Sequence, residues 1–195
     1  MWIAGVDEAG RGPIAGPVVA ACVVLPPRHT LTGIADSKQL TPAQREALYD
    51  AITRHALAWA VGLASPREIE RYNILQASLL AMRRAVLALP LPPQRVLVDG
   101  KHAIPSLPLP QQAIVDGDAL EESIAAASIL AKVARDRIMR ELDRLYPRYG
   151  FAQHKGYPTA LHLERLRMYG ACPAHRRTYA PVAQLHLLAA AAEVE

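Results

Sequence analysis

Four acidic residues stand where carboxylates are costly. Asp7 closes the hydrophobic stretch Trp2–Asp7 with Glu8 beside it, Asp99 ends Val96-Leu97-Val98, and Asp118 follows Ala113-Ile114-Val115. Strand ends on one edge of an α/β sheet converge in space, and open α/β sheets place ligand sites there. Carboxylates gathered without partners repel one another and raise their own pKa values. A divalent cation relieves that repulsion, and an all-oxygen donor set suits Mg2+ or Mn2+ better than zinc. Taken singly, each acid also reads as a turn or helix cap, since Asp-Gly is a common turn signal. Taken together, the four read as a metal site. Asp7 and Glu8 add a condition: adjacent strand residues point to opposite faces, so both reach one centre only if regular strand geometry ends there. Gly10 and Gly12 let the backbone leave and present bare amides to a ligand, and Arg11 between them offers a phosphate partner.

Other chemistry-bearing residues carry less. Among seven histidines, His154, His162 and His175 form no HxxxH pair, so a zinc hydrolase is disfavoured. His154 reads as a substrate-side or structural residue. Ser128 sits in a helical run where a hydroxyl bonded to a backbone carbonyl is expected rather than a nucleophile. Asp136 is expected to pair with a neighbouring cation, and Trp2 and Trp59 to pack at the core or its rim.

The elements that must position these groups follow from pattern. Trp2–Asp7 and Val18–Leu25 read as strands separated by a Gly/Pro loop. Thr41-Pro42-Ala43-Gln44 is a capping box that opens a helix to about His55, and Ala56–Ala64 reads as a third strand. Ser65-Pro66-Arg67-Glu68 repeats the start signal for a short helix, and Asn73 caps a longer one. Arg95–Asp99 and Ala113–Gly117 are expected strands, with a Pro-rich loop between them. From Leu120 to Leu145 the period is helical, with Ile124, Ala127, Ile129, Val133 and Ile138 inward and Arg135, Arg140 and Arg144 on other faces. Thr159 caps a helix that stops at Gly170, and the Ala-rich tail from Val182 suggests one more. Strands first and helices later give an α/β class with a mixed sheet.

The chain has 195 residues, enough for one domain with an ordinary core. A hydrophobic fraction of 51% and a charged fraction of 21% exclude a disordered or collagen-like chain. Two distant cysteines, Cys22 and Cys172, argue against a zinc ribbon or a disulfide scaffold and fit a reducing compartment. Acids at positions 7 and 8 come too early for a signal peptide, and the run Ile14–Leu25 is too short to span a bilayer, so a cytoplasmic location is expected. The net charge of +4 is uneven: residues 132–180 carry +7 and the remainder −3, an asymmetry found in polyanion binders.

The segments Asp7-Glu8-Ala9-Gly10-Arg11-Gly12-Pro13, Asp36-Ser37-Lys38, Val98-Asp99-Gly100, Gly117-Asp118, Ala125 to Val133 and His154-Lys155-Gly156-Tyr157-Pro158-Thr159 appear in an order and spacing that resembles bacterial ribonuclease HII. The likeness runs from residue 4 to about 180. It implies a ribonuclease H-like fold: a five-stranded mixed sheet flanked by helices (about 1–145), completed by a C-terminal substrate-binding helical region (about 146–195). It further implies that Asp7, Glu8, Asp99 and Asp118 are the catalytic, metal-binding acids, holding Mg2+ or Mn2+ as two ions with substrate bound. Gly10, Arg11 and Gly12 would contact the ribonucleotide 2′-OH, Lys38 a phosphate, and Tyr157 the sugar of the following deoxynucleotide. The implied reaction cuts RNA in RNA/DNA hybrids and incises 5′ to single ribonucleotides in duplex DNA, leaving 3′-hydroxyl and 5′-phosphate ends. A monomer acting on these duplexes, away from membranes, is the expected form. Two metals would supply the activated water and the stabilised leaving oxygen of in-line hydrolysis, and only the 2′-OH separates ribose from deoxyribose.

Three positions depart from the family pattern. Asp116 replaces a Lys, and as a strand residue two before Asp118 it would share that acid's face; Ala125 replaces a Ser, and Gln39 a second Lys. None removes a catalytic group. Two rival readings are a non-catalytic nucleic-acid-binding module of the same fold and another nuclease of the fold acting on DNA junctions. A pure binder gains nothing from four clustered anions facing a polyanion.

Overall fold

The computed structural model describes residues 2–34 and 40–185; Lys38, its neighbours Asp36, Ser37 and Gln39, and the tail beyond residue 185 lie outside the described residues. Five strands, β1 (Ile3–Ala9), β2 (Val18–Val24), β3 (Ala58–Ala64), β4 (Arg95–Asp99) and β5 (Gln111–Ile114), form one sheet in the order β3-β2-β1-β4-β5. β1 pairs antiparallel with β2, and β2 with β3, whereas β1–β4 and β4–β5 are parallel. The sheet is therefore mixed: residues 10–17 return β1 directly into β2, a helical segment separates β2 from β3, and the parallel pairs require crossovers.

Both faces of the sheet are covered, which explains why β2 is buried at every position. On one face α2 (Pro66–Leu87) packs over Ala4, Val6, Val18, Ala20, Cys22 and Val98. On the other, α4 (Glu122–Leu145) and α1 (Pro42–His55) cover Ala21 and Val23 with Ala125 to Ala131 and Ile52. The alanine run lets α4 approach closely. At Gly5 a methyl group would lie 2.2 Å from the Ser123 carbonyl carbon, so helix and strand meet main chain to main chain.

The start signals hold. Thr41 and Ser65 each form a capping box, with Gln44 and Glu68 reaching back. α2 is broken at Asn73, whose φ of 66° leaves the helix and whose side chain accepts from the Gln76 amide at 3.1 Å, so a short helix does hand over to a longer one. Three expectations need correction. β1 runs through Glu8 to Ala9, because both stay in the ladder with β2 opposite Ala20 and Val19. The last strand is Gln111–Ile114 and not Ala113–Gly117. Gln111 brackets Ile104 with bonds to its N–H and C=O (2.6 and 2.9 Å), pulling the strand start back, while Asp116 turns left-handed (φ 53°) and α3 (Gly117–Leu120) begins. Arg135 is not on an outer face of α4 but 1% exposed within it.

Beyond α4, α5 (Phe151–His154) and α6 (Ala160–Tyr169) pack back onto the loop between β1 and β2. The Ile14 amide donates to Gly156 O (2.9 Å), Gly16 to Ala174 O (2.8 Å), and Arg176 to Ile14 O (2.8 Å). Residues far apart in sequence thus close around the Gly10–Pro17 segment.

Candidate active site

The parallel ladder of β1 with β4 ends at Val6 opposite Val98, so the next residues, Asp7 and Asp99, emerge side by side at the carboxyl end of the sheet. By strand alternation Asp7 shares the α4 face with Gly5, and its carboxyl meets the Ser128 hydroxyl there. Asp7 Oδ1 also accepts the Glu8 amide at 2.6 Å. Glu8 remains near enough to Asp7 and Asp99 for all three to interact, although regular strand pairing does not stop before it. Asp99 Oδ1 accepts the Gly117 amide at 2.8 Å, which holds the turn into α3 against β4. Asp118, the next residue and 8% exposed, is therefore a first-turn helix residue and not a strand residue. Asp116 adopts left-handed backbone outside any strand, so the expected sharing of one strand face by Asp116 and Asp118 does not occur.

The electrostatics fit a cation. Asp7 is 7% exposed, and burial, then Glu8, then Asp99 push its carboxyl well above the usual range. Burial raises Glu8 as well, against the pull of Arg11 and with the push of Asp99. Arg11 Nη1 lies 3.3 Å from Glu8 Oε1 on a half-exposed side chain, giving only part of the compensation. Carboxylates crowded so that each resists ionisation are relieved by a divalent cation, which hard oxygen donors suit. Among the described residues no three His, Cys, Asp or Glu side chains already stand in ligating geometry.

Beside the acids lies a cleft of about 320 Å³, lined by Glu8, Gly10, Arg45, Ser128, Lys132 and Tyr157 among others. A methyl group on Gly12 would lie 3.6 Å from Tyr157 Cε1, so the ring stands over the glycine loop. Tyr157 itself is 44% exposed, which leaves its ring accessible.

Sequence reading missed several neighbours. The Ser128 hydroxyl meets the Asp7 carboxyl, a partner the sequence did not suggest. Ser128, Ala131, Arg135 and Met139 fall at helical spacing on one stripe of α4, a signal that could have placed Arg135 inward. Arg45 and Lys132 gave no local sign. Asp136 pairs with Lys132 at 2.7 Å, and Trp59 packs edge-on to Tyr49, both as expected. His154, also buried, is structural: its Nε2 bonds Tyr149 O at 2.8 Å.

Comparison with known proteins places this arrangement. The family model described as ribonuclease HII matches residues 4–182. A ribonuclease HII of an Acidovorax species is 61% identical over 182 residues, covering 93% of this chain and 87% of that protein. The ribonuclease HII of Nitrosospira multiformis is 58% identical over 184 residues, covering 94% and 92%. The crystal structure of ribonuclease H2 from Pyrococcus horikoshii superposes with a TM-score of 0.82 at 31% identity, covering 96% of this chain and 98% of that one.

Proposed function

Because the chain belongs to the ribonuclease HII family of metal-dependent endonucleases, we propose that it hydrolyses the RNA strand of RNA/DNA hybrids and incises 5′ to single ribonucleotides embedded in duplex DNA. The observation that carries this reading is the meeting of Asp7, Glu8 and Asp99 at one sheet end, next to a glycine loop overhung by Tyr157.

Asp7, Glu8, Asp99 and Asp118 would hold two divalent ions, Mg2+ or Mn2+. Ions so held supply activation of water and relief of charge on the leaving oxygen. The protein's own part is positional. Ser128 and the Glu8 amide orient the Asp7 carboxyl, and the Gly117 amide orients Asp99. Gly10, Arg11 and Gly12 approach the sugar, where a hydroxyl in place of hydrogen is the sole mark of a ribonucleotide. Tyr157 stacks on the next sugar, so that a ribose-to-deoxyribose junction is read by two elements at once. Arg45 and Lys132, with Lys38 outside the described residues, contact phosphates without regard to sequence.

The test is a labelled DNA duplex with one ribonucleotide, incubated with Mg2+ or Mn2+. Cleavage on its 5′ side, leaving a 3′-hydroxyl and lost in Asp99→Asn, is the expected result. Equal cutting of an all-DNA duplex would assign a different nuclease activity.

A further inference from the structure

Two arginines are buried behind the glycine loop, Arg135 at 1% and Arg176 at 0% exposure, and both donate chiefly to main-chain oxygens. Arg176 Nη2 donates to Gly10 O (2.6 Å), Nη1 to Arg11 O (2.9 Å) and Nε to Gly16 O (2.9 Å). Tyr179 completes the grip: its hydroxyl accepts from Arg176 Nη1 (3.1 Å) and donates to Arg11 O (2.8 Å). Arg135 holds the other limb through Pro17 O (3.1 Å) and Ala15 O (3.1 Å), and reaches Lys155 O (3.0 Å), two residues before Tyr157. It also occupies the space a side chain at Gly10 would need: a methyl group there would lie 2.0 Å from Arg135 Nε.

Peptide geometry gives this grip a direction. In a trans peptide the C=O of one residue and the N–H of the next point opposite ways, and the described chain has no cis bonds. With the carbonyls of Gly10 and Arg11 both drawn onto Arg176, the amides of Arg11 and Gly12 must face away from it. Arg11 and Gly12 are exposed, so two successive donors are turned outward together.

We propose that Arg176 and Tyr179, backed by Arg135, are positioning residues that determine ribose selectivity, by anchoring the loop's carbonyls inward so that its amides are preset for the oxygen of a 2′-OH. Nothing in the triad touches the substrate itself; it acts through Gly10, Arg11 and Gly12. Arg135 ties the Tyr157 segment to the same frame, so the two parts of the junction reader keep one spacing. The inference rests on the reading of that loop as the ribose contact.

The experiment uses the full chain, with Tyr179→Phe and Arg176→Lys. Tyr179→Phe keeps a part-exposed ring and removes only the hydroxyl, so its fold is retained, as a thermal melt would check. For each variant, kcat and KM are measured on a duplex with one ribonucleotide, and Ki for an all-DNA duplex as competitor. Tyr179→Phe should lower kcat/KM by about tenfold, the scale of one lost hydrogen bond. Arg176→Lys should lower it by about a hundredfold, as misplaced contacts do. Ki should stay unchanged in both, because phosphate contacts do not depend on the loop's amides. Unaltered kcat/KM in Tyr179→Phe, or a parallel weakening of Ki, would overturn the proposal. If the wild-type protein leaves the ribonucleotide duplex uncut, the functional reading fails instead.

Discussion

The Nε2 atoms of His162 and His175 lie 3.1 Å apart in the interior of the C-terminal region. His175 Nδ1 accepts the Cys172 amide (3.0 Å), so its proton is on Nε2 and is donated to His162. His162 must then carry its own proton on Nδ1, donated to Tyr157 O (2.8 Å). His154 stacks on His162 with ring centroids 4.2 Å apart and is fixed the same way, accepting from the Gly156 amide and donating to Tyr149 O. The chain of bonds closes only if all three imidazoles are neutral, and it ends on the residue proposed to read the junction.

That network sets a pH dependence. Burial holds His162 and His175 down at about 4, from an ordinary 6.5, and lowers His154. Between those values the unfolded chain binds more protons than the folded one, so stability is complete above about 6.5 and is lost as pH falls toward 4. The melting temperature should drop by several degrees across this window. Imidazole nitrogen shifts at pH 5.5 should report His162 and His175 as neutral; ordinary titration near 6.5 would contradict the assignment.

Asp7→Asn should separate stability from activity. Asparagine keeps an oxygen for the Glu8 amide and removes a charge that burial, Glu8 and Asp99 all disfavour. Ribonucleotide incision should fall by about a thousandfold. In chelator, the melting temperature should rise by a few degrees, and added Mn2+ should raise it less than in wild type. A lower melting temperature in chelator would mean that the acids are not mutually repulsive.

Tyr157→Ala removes the ring that stands over Gly12. Incision at a single ribonucleotide should lose about ten- to a hundredfold in kcat/KM, the range of a stacked contact, and hydrolysis of long hybrid distinctly less. Equal losses on the two substrates would take the junction-reading role away from this residue.

Lys132→Ala should weaken binding to ribonucleotide-containing and all-DNA duplexes alike, because a phosphate contact carries no sugar information. The slope of log K against log salt should shrink by about one. A loss confined to the ribonucleotide duplex would instead put Lys132 beside the ribose.

Gly5→Ala should cost more than about 3 kcal/mol by denaturant titration, since the new methyl meets α4 main chain that cannot step aside. A near-neutral change would show that α4 does not seat against β1 at this point.

Much of the candidate site could be read in the linear sequence because its signals are local. Carboxylates at the ends of hydrophobic runs, glycines flanking Arg11, and capping boxes at Thr41 and Ser65 each depend on neighbours a few residues away. The Asn73 break needed no more than its own side chain and the Gln76 amide. The fifth strand was misplaced because Val115 carries strand propensity, whereas a left-handed Asp116 and the distant bracket of Gln111 on Ile104 set its ends. The burial of Arg176 left no local mark, because its main-chain acceptors lie more than a hundred residues earlier, and the stripe on α4 that points Arg135 inward does not reveal the oxygens it binds. Types and spacing therefore determined which groups could do the chemistry, since that follows from side-chain identity and short-range geometry. Only the folded chain decided which way the glycine loop's amides face and which tautomers the histidines hold, because a buried donor must find its acceptor wherever packing brings one.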